Sequence, residues 1–224
     1  MIKDGSIGTY ISIKNKNMKF YSQYKQDEWL YNNHFKDKVD GTFLEIGADD
    51  GIDKSNTKFF EELGWGGMCI EPSPKRFKLL EQNRTCVCEN YAVSDSIGEV
   101  EFMDISGWGK GLSGIVDKYD NQHKLRIEGE VKHPLNKGRE VVTVNTELLP
   151  NLLDKHGITE IDFCTIDTEG GEYDILKTID FDKYNIKFII VENNYRDTKV
   201  GELLTGKGYQ KVHKLTIDDV YMKK

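Results

Sequence analysis

Leu44-Glu45-Ile46-Gly47-Ala48-Asp49-Asp50-Gly51 carries an apolar run, residues 42–46, into a turn with two glycines, and a helical stretch begins near Ser55. A buried strand that feeds a glycine-containing turn before a helix is the ligand loop of an open α/β sheet, set at the carboxyl end of the strand. Gly47 and Gly51 let the backbone approach a ligand in a way that a Cβ would hinder. On either side the same grammar repeats. Short runs at 67–70, 87–93, 161–166 and 188–191 are apolar on both faces, as parallel strands covered from both sides are. Between them, spacing and end signals predict helices over 56–63, 74–83, 148–155 and 172–179, with Pro74 early in one helix and Gly64 and Gly157 closing two others. A last helix over 200–207 precedes a terminal hairpin, 209–212 with 218–222. The alternation implies a doubly wound α/β sheet.

The flanks are less regular. Ser22 is available to cap a helix in which Gln26, Trp29, Leu30 and His34 recur at helical spacing, and residues 1–21, with a strand-like 9–13 and a polar 14–17, read as an accessory segment. Residues 22–224 then form one domain, in keeping with 224 residues and 38% hydrophobic content. Within it, 105–139 is rich in Gly, Lys and Asp and contains Trp108, His123, His133 and Pro134; an insert of that length reads as a loop covering the substrate. Lys and Arg number 31 against 38 Asp and Glu, and the formal charge of −7 opposes binding to a phosphate backbone, so a nucleic-acid partner is disfavoured. The amino-terminal residues lack the apolar core of a signal peptide and no run is long enough for a membrane span, so a cytoplasmic location is expected. Cys69, Cys86, Cys88 and Cys164 form no CxxC pair and read as structural thiols.

Charge narrows the ligand. A pyrophosphate needs amides and glycines, whereas here Asp49 and Asp50 would repel it and the middle glycine of the dinucleotide fingerprint is missing. S-adenosylmethionine (SAM) carries a sulfonium and an ammonium and no phosphate, and a loop holding Glu45, Asp49 and Asp50 suits it. Glu71, followed by Pro72 and Ser73 at the end of the next strand, stands where nucleotide folds place a carboxylate on ribose hydroxyls. Asn90 and Ala92, after the third strand, border the position of an adenine ring. Two further strand ends, Asp167-Thr168-Glu169-Gly170 and Glu192-Asn193-Asn194, gather acids that are costly unless paired, protonated or bound to a cation. Asp167, Glu192 and Asn193 offer hard oxygens suited to Mg²⁺, a second cofactor candidate. A hydroxyl acceptor needs such a base or metal, and Asp167 and Glu169 are the catalytic candidates. His123 and His133 are alternative bases, although a lone loop histidine is more often simply solvated.

Taken together the motifs resemble the FkbM family of SAM-dependent methyltransferases over roughly residues 22–209. The blocks that carry the resemblance are Ser22-Gln23 with Gln26-Asp27; Glu45-Ile46-Gly47-Ala48 with Asp50-Gly51; Ser55-Asn56-Thr57; Leu63-Gly64-Trp65 with Gly67; Ile70-Glu71-Pro72; Ile166-Asp167-Thr168-Glu169-Gly170; and Val191-Glu192 with Asn194. The resemblance implies a Rossmann-like class I methyltransferase fold: a mostly parallel seven-stranded sheet, helices on both faces and a terminal antiparallel hairpin. It implies that SAM is held by Glu45, Gly47, Ala48, Asp50, Gly51, Ser55, Asn56, Glu71, Pro72, Ser73, Asn90, Ala92 and Asp167. It also implies O-methylation of a sugar or glycan, by analogy with family members. The strand ends are similar to those of catechol-type O-methyltransferases as well, but the catalytic Lys of that type is absent where Glu169 and Gly170 stand. The other readings are a non-catalytic SAM-binding or partner-binding module and a methyltransferase acting on another small metabolite or a protein; a homodimer is a possible assembly.

Overall fold

The computed structural model describes residues 18–194 and 196–224. The strand-like stretch expected at 9–13 lies outside them. A short helix, α1 (Gln26–Leu30), runs on as a π-helical turn through Phe35, and then strand and helix alternate. The main elements are β1 (Thr42–Ile46), α2 (Lys58–Glu62), β2 (Gly66–Ile70), α3 (Pro74–Asn83), β3 (Val87–Glu89), α5 (Leu149–His156), β8 (Glu160–Ile166), α6 (Glu172–Leu176), β9 (Asn185–Glu192) and α7 (Lys199–Gly206). The hairpin β10 (Tyr209–Leu215) and β11 (Asp218–Lys223) closes the chain. Seven strands form one sheet in the order β10-β11-β9-β8-β1-β2-β3, parallel except for β11, which pairs antiparallel with both β9 and β10.

Each face of this sheet has its own core. Leu44, Ile46, Met68, Ile70, Ile166 and Ile189 pack under α5, α6 and α7, while Phe43, Phe60, Trp65, Phe163 and Phe188 form an aromatic cluster with α1 and α2. Burial on both faces is what makes the strands read as nearly continuous apolar runs. Ser22 does not cap α1, which starts four residues later. It donates to Asp27 instead, and Asp27 also accepts from the Tyr21 amide at 2.6 Å. The expected strand at 87–93 is broken: β3 stays in the main sheet, and β4 (Ala92–Val93) leaves it for a second one.

That second sheet accounts for the insert. The long strands β5 (Gly98–Gly107) and β7 (Asn136–Glu147) pair antiparallel over almost their whole length, with β6 (Gly114–Ile115) on one side and β4 on the other. Helix α4 (Asn121–Glu130) crosses between them, capped by Asp120, whose carboxylate accepts from the His123 amide at 2.7 Å. The region expected to be a covering loop is thus a four-stranded sheet with its own small core of Phe102, Ile115 and Val144. Among the described residues no helix is long and apolar enough to cross a membrane.

Candidate active site

The carboxyl ends of the parallel strands and the start of antiparallel β11 converge on one cavity of about 290 Å³, roofed by the small sheet. Its loop after β1 is tied to both neighbouring strands. The amides of Gly47 and Ala48 donate to the Ile70 carbonyl at 3.0 and 3.1 Å, and the Asp167 amide donates to the Ile46 carbonyl at 3.0 Å. Gly47, at φ +86°, lies against β8 so closely that a Cβ would fall 1.9 Å from the Asp167 carbonyl oxygen. Asp49 takes a left-handed φ of 50°, which turns its amide onto Glu71 Oε2 at 2.9 Å, while Glu71 Oε1 accepts from the Ser73 amide at 2.8 Å. Glu71 is thereby aimed into the cavity from a buried position. Burial pushes its carboxyl up to about 7; the Arg76 charge and the Ser73 amide pull it down, and the Asp49 charge adds to the rise.

Glu45 also borders the cavity, but its oxygens are occupied. They accept from Ser55 Oγ at 2.8 Å, the Asn56 amide at 2.6 Å and Thr57 Oγ1 at 2.6 Å, and Oε2 lies 3.3 Å from Arg84 Nη1. Glu45 points with Phe43 to the aromatic side of the sheet, and there it holds the 55–57 segment in shape. Asn56 is the residue this presents: its Oδ1 is buried on the cavity wall with no hydrogen-bond partner among the described residues. An orphaned acceptor at that place, with the surrounding carboxylates, fits the ammonium and sulfonium of SAM.

Several residues expected at the ligand face elsewhere. Asp50 accepts from the amides of Ile52 and Asp53 and shapes the turn. A Cβ on Gly51 would meet Leu80 and Arg84 in the core, 2.6 and 2.7 Å away, so this glycine serves helix packing. Ser73 caps α3 and donates to Asp104 at 2.6 Å. The Asn90 amide is spent on the carbonyls of Glu71 and Pro72. Glu45, Gly47, Ala48, Ser55, Asn56, Glu71, Pro72, Ala92 and Asp167 do border the cavity, and Phe102, Leu112 and Ile115 of the small sheet add an apolar wall near Ala92.

At the other end of the cavity, Asp167, Glu169 and Glu192 each place an oxygen within 4.8 Å of the others. Asn193, expected to join Asp167 and Glu192, does not: its amide donates to the Asp197 carbonyl and to Asp219, and its oxygen accepts from the Asp197 amide. Asp218 stands there instead, because β11 runs antiparallel and its first residue pairs with Glu192. Gln26 donates to Asp218. Asp167 is open to the cavity yet hemmed in by protein. Burial and the charges of Glu169, Asp218 and Glu172 hold its carboxyl well above the usual range, although a hydrogen bond from Glu192 works the other way. Burial and the Asp167 charge raise Glu192 likewise, and burial brings Asp218 to about 6. Tyr24 borders the same group, its hydroxyl pushed up by burial and by Asp218 and Glu192.

The histidines take other roles than free bases. His123 is buried, with Nε2 3.2 Å from the Leu112 carbonyl, which can only accept, and Nδ1 3.2 Å from Glu169 Oε2. It lies beside Glu169, whose Oε2 is buried with no hydrogen-bond partner among the described residues. His133 stacks on Trp108. Residues with no signal in sequence also border the cavity: Arg76 and Lys110 both pair with Asp49, at 3.4 and 2.7 Å, and Lys110 also reaches Asp53 at 2.9 Å, tying the insert to the ligand loop. The four cysteines are free thiols, two of them buried, and Cys69 and Cys86 place their sulfurs 3.6 Å apart.

This strand order, with its cavity at the carboxyl ends of the parallel strands, is that of the class I methyltransferase fold. Residues 45–215 match the family model described as the methyltransferase FkbM domain, and the chain belongs to that family. No curated protein matches it closely enough to count as a relative. Among solved structures it is similar to TrmK of M. capricolum, determined in complex with S-adenosyl-homocysteine, at 12% identity over 92% of this chain and 67% of that one, with a TM-score of 0.43. It is also similar to precorrin-6y C5,15-methyltransferase from Geobacter metallireducens at 14% identity, covering 93% of this chain and 92% of that one, with a TM-score of 0.45. A human methyltransferase 10 domain containing protein shares 12% identity over 88% of this chain and 79% of its own, with a TM-score of 0.41.

Proposed function

We propose that the protein transfers a methyl group from SAM to a hydroxyl of a sugar or glycan, with Asp167 as the general base. The observation that carries this reading is the group of coupled acids at the ends of β8 and β9, in the same cavity as Glu71 and the ligand loop. When bound, SAM supplies an activated methyl on a sulfonium whose departure leaves a neutral thioether. The chain's own task is then to orient the acceptor oxygen and take its proton. A carboxylate raised well above its ordinary range is a better proton acceptor than a solvated one, and Asp167 is raised by burial and by its acidic neighbours. Glu192, hydrogen-bonded to it, shares the proton, and Glu169 stands beside both and adds its charge. A proton entering this group lowers its repulsion, so the acids together form a proton reservoir.

A second reading rests on the spacing of the same oxygens. Asp167, Glu169 and Glu192 would hold Mg²⁺, with Glu169 in the place given in sequence to Asn193, and the ion would lower the pKa of a coordinated hydroxyl. Turnover unchanged by EDTA supports the proton-transfer reading; turnover restored only by Mg²⁺ supports the metal. The activity itself is tested by incubating the protein with SAM and a panel of glycans and looking by mass spectrometry for a product one methyl group heavier. Failure of the whole panel, with S-adenosylhomocysteine (SAH) still bound, overturns the sugar reading.

The Glu71 assignment makes a separate prediction. With its carboxyl at about 7 in the free protein, and with ribose hydroxyls favouring the ionised form, SAH affinity should rise about tenfold from pH 6 to pH 8, with proton release on binding. Titration calorimetry in buffers of different ionisation enthalpy measures both, and Glu71→Gln should flatten the dependence. Because the folded pKa lies above the unfolded one, the stabilisation from this group is complete below about pH 4.5 and is lost as pH rises through about 7.

A further inference from the structure

One large apolar side chain borders this polar cavity without belonging to any core. Trp108 follows β5, lines the cavity mouth and is 57% exposed. Its indole is nonetheless fixed. The ring stacks on His133 with centroids 4.5 Å apart and planes 17° from parallel, and its amide donates to the Leu135 carbonyl at 3.3 Å. His133 is itself held, Nδ1 accepting from the Leu135 amide at 3.2 Å. Gly107, at φ +87°, permits the crossing that presents the ring, since a Cβ there would meet the Leu135 carbonyl oxygen at 2.4 Å. The result is a rigid aromatic plate at the entrance, braced from behind, which costs little conformational entropy to use.

Charge says what can lie on it. Nine carboxylates and five cationic side chains border the cavity. Arg76 is already paired with Asp49 and Asp104, Lys110 with Asp49 and Asp53, and Lys118 with Asp95 and Asp174. A diphosphate entering here meets net negative charge, with these three cations committed. An uncharged pyranose meets no such cost: its C–H face is apolar and slightly positive and matches the negative face of an indole, while its hydroxyls reach polar groups such as Glu130 at the rim.

We propose that Trp108, backed by His133, is the platform on which a neutral sugar ring of the acceptor stacks, and that the acceptor is an uncharged glycan and not a nucleotide-activated sugar. This rests on the sugar reading above and adds the acceptor's charge class and its docking residue. The test uses the full chain saturated with SAH and reads binding, not turnover, by saturation-transfer NMR against neutral oligosaccharides, their methyl glycosides and the corresponding nucleoside-diphosphate sugars. At least one neutral glycan should bind, Trp108→Ala should weaken it tenfold or more, Trp108→Phe should stay within about threefold, and SAH affinity should not change in either variant. Nucleotide sugars should bind more weakly than the methyl glycosides and gain on them as salt screens the repulsion. Tighter binding of nucleotide sugars, equal binding by Trp108→Ala, or no neutral glycan bound at all overturns the proposal. A glycan that binds through Trp108 yet is never methylated sinks the activity reading and leaves the platform standing; methylation indifferent to Trp108→Ala does the reverse.

Discussion

Asp167→Asn is expected to lower kcat by roughly 10²- to 10⁴-fold, the range that a positioned general base contributes, while the protein becomes more heat-stable at pH 8. The two effects share one cause. Asp167 sits among Glu169, Glu172, Glu192 and Asp218, and burial together with their charges drives its carboxyl toward protonation. An ionised Asp167 at pH 8 is held against that pressure; an amide of the same shape is not. Relief of repulsion should raise Tm, and loss of the proton acceptor should abolish chemistry, the trade between stability and activity expected of a strained site. The wild-type acid limb of kcat should lie well above the ordinary carboxylate range and describe the coupled group, not one residue. Calorimetric melting, single-turnover rates and SAH titration separate the outcomes. Lowered SAH affinity with unchanged kcat would move Asp167 from the acceptor to the cofactor, and lowered Tm would remove the electrostatic account altogether.

The second large effect falls on a residue far less conspicuous in the sequence. Arg84→Met should destabilise the protein by about 3–5 kcal/mol, or roughly 6–20 °C in Tm for a chain of this size. The Arg84 side chain is fully buried and divides its guanidinium between Glu45 at 3.3 Å and Glu61 at 2.8 Å, with further bonds to Ser55, Thr57 and the Gly51 carbonyl. Removing it strands two carboxylates in the interior. Burial opposes the charge of Glu61, but Arg84 and the Thr85 and Cys86 amides hold its carboxyl at about 2. Its stabilising contribution is complete above about pH 4.5 and is lost as pH falls toward 2, so the cost of the variant should shrink in acid. Arg84→Lys should not rescue it, because a point charge cannot serve two carboxylates and a carbonyl as a planar fork does. SAH binding should weaken in both variants, since Glu45 shapes the segment that presents Asn56.

What could be read from sequence follows from what periodicity reports. Helix 74–83 and strand 42–46 match their structural bounds, and the other parallel strands are met within a few residues, because burial on two faces leaves an unbroken apolar run. The small sheet left no such trace: much of β7 is exposed on both faces, and its Lys, Arg and Glu read as loop. In the site, sequence located the strand ends but not the directions of the side chains on them. Asp49 rather than Asp50 borders the cavity because Asp49 adopts a left-handed φ, and nothing in the pair Asp49-Asp50 announces which residue will do so. Asn193 faces away because the turn after β9 consumes its amide. Asp218 escaped notice for a topological reason: only an antiparallel last strand brings its beginning to the rim where the other strands end. Arg84 carried no signal in sequence, because its burial depends on Glu45 and Glu61, distant in the chain.

The contact of Gly47 with the Asp167 carbonyl oxygen sorts positions for anyone diversifying this enzyme by directed evolution. With 1.9 Å between that oxygen and any added Cβ, the loop after β1 and the backbone of the acid after β8 cannot be varied independently. A library that replaces Gly47 would be dominated by misfolded members, whereas a change of the Asp167 side chain leaves its carbonyl in place. The small sheet is under no such constraint on its outer face, and it reaches the cavity with a handful of side chains from a continuous stretch of chain. Variation aimed at the proposed acceptor therefore belongs at the cavity mouth, at Trp108 and Glu130, while Ala92 and the apolar wall beside it stay with the methyl-donor side.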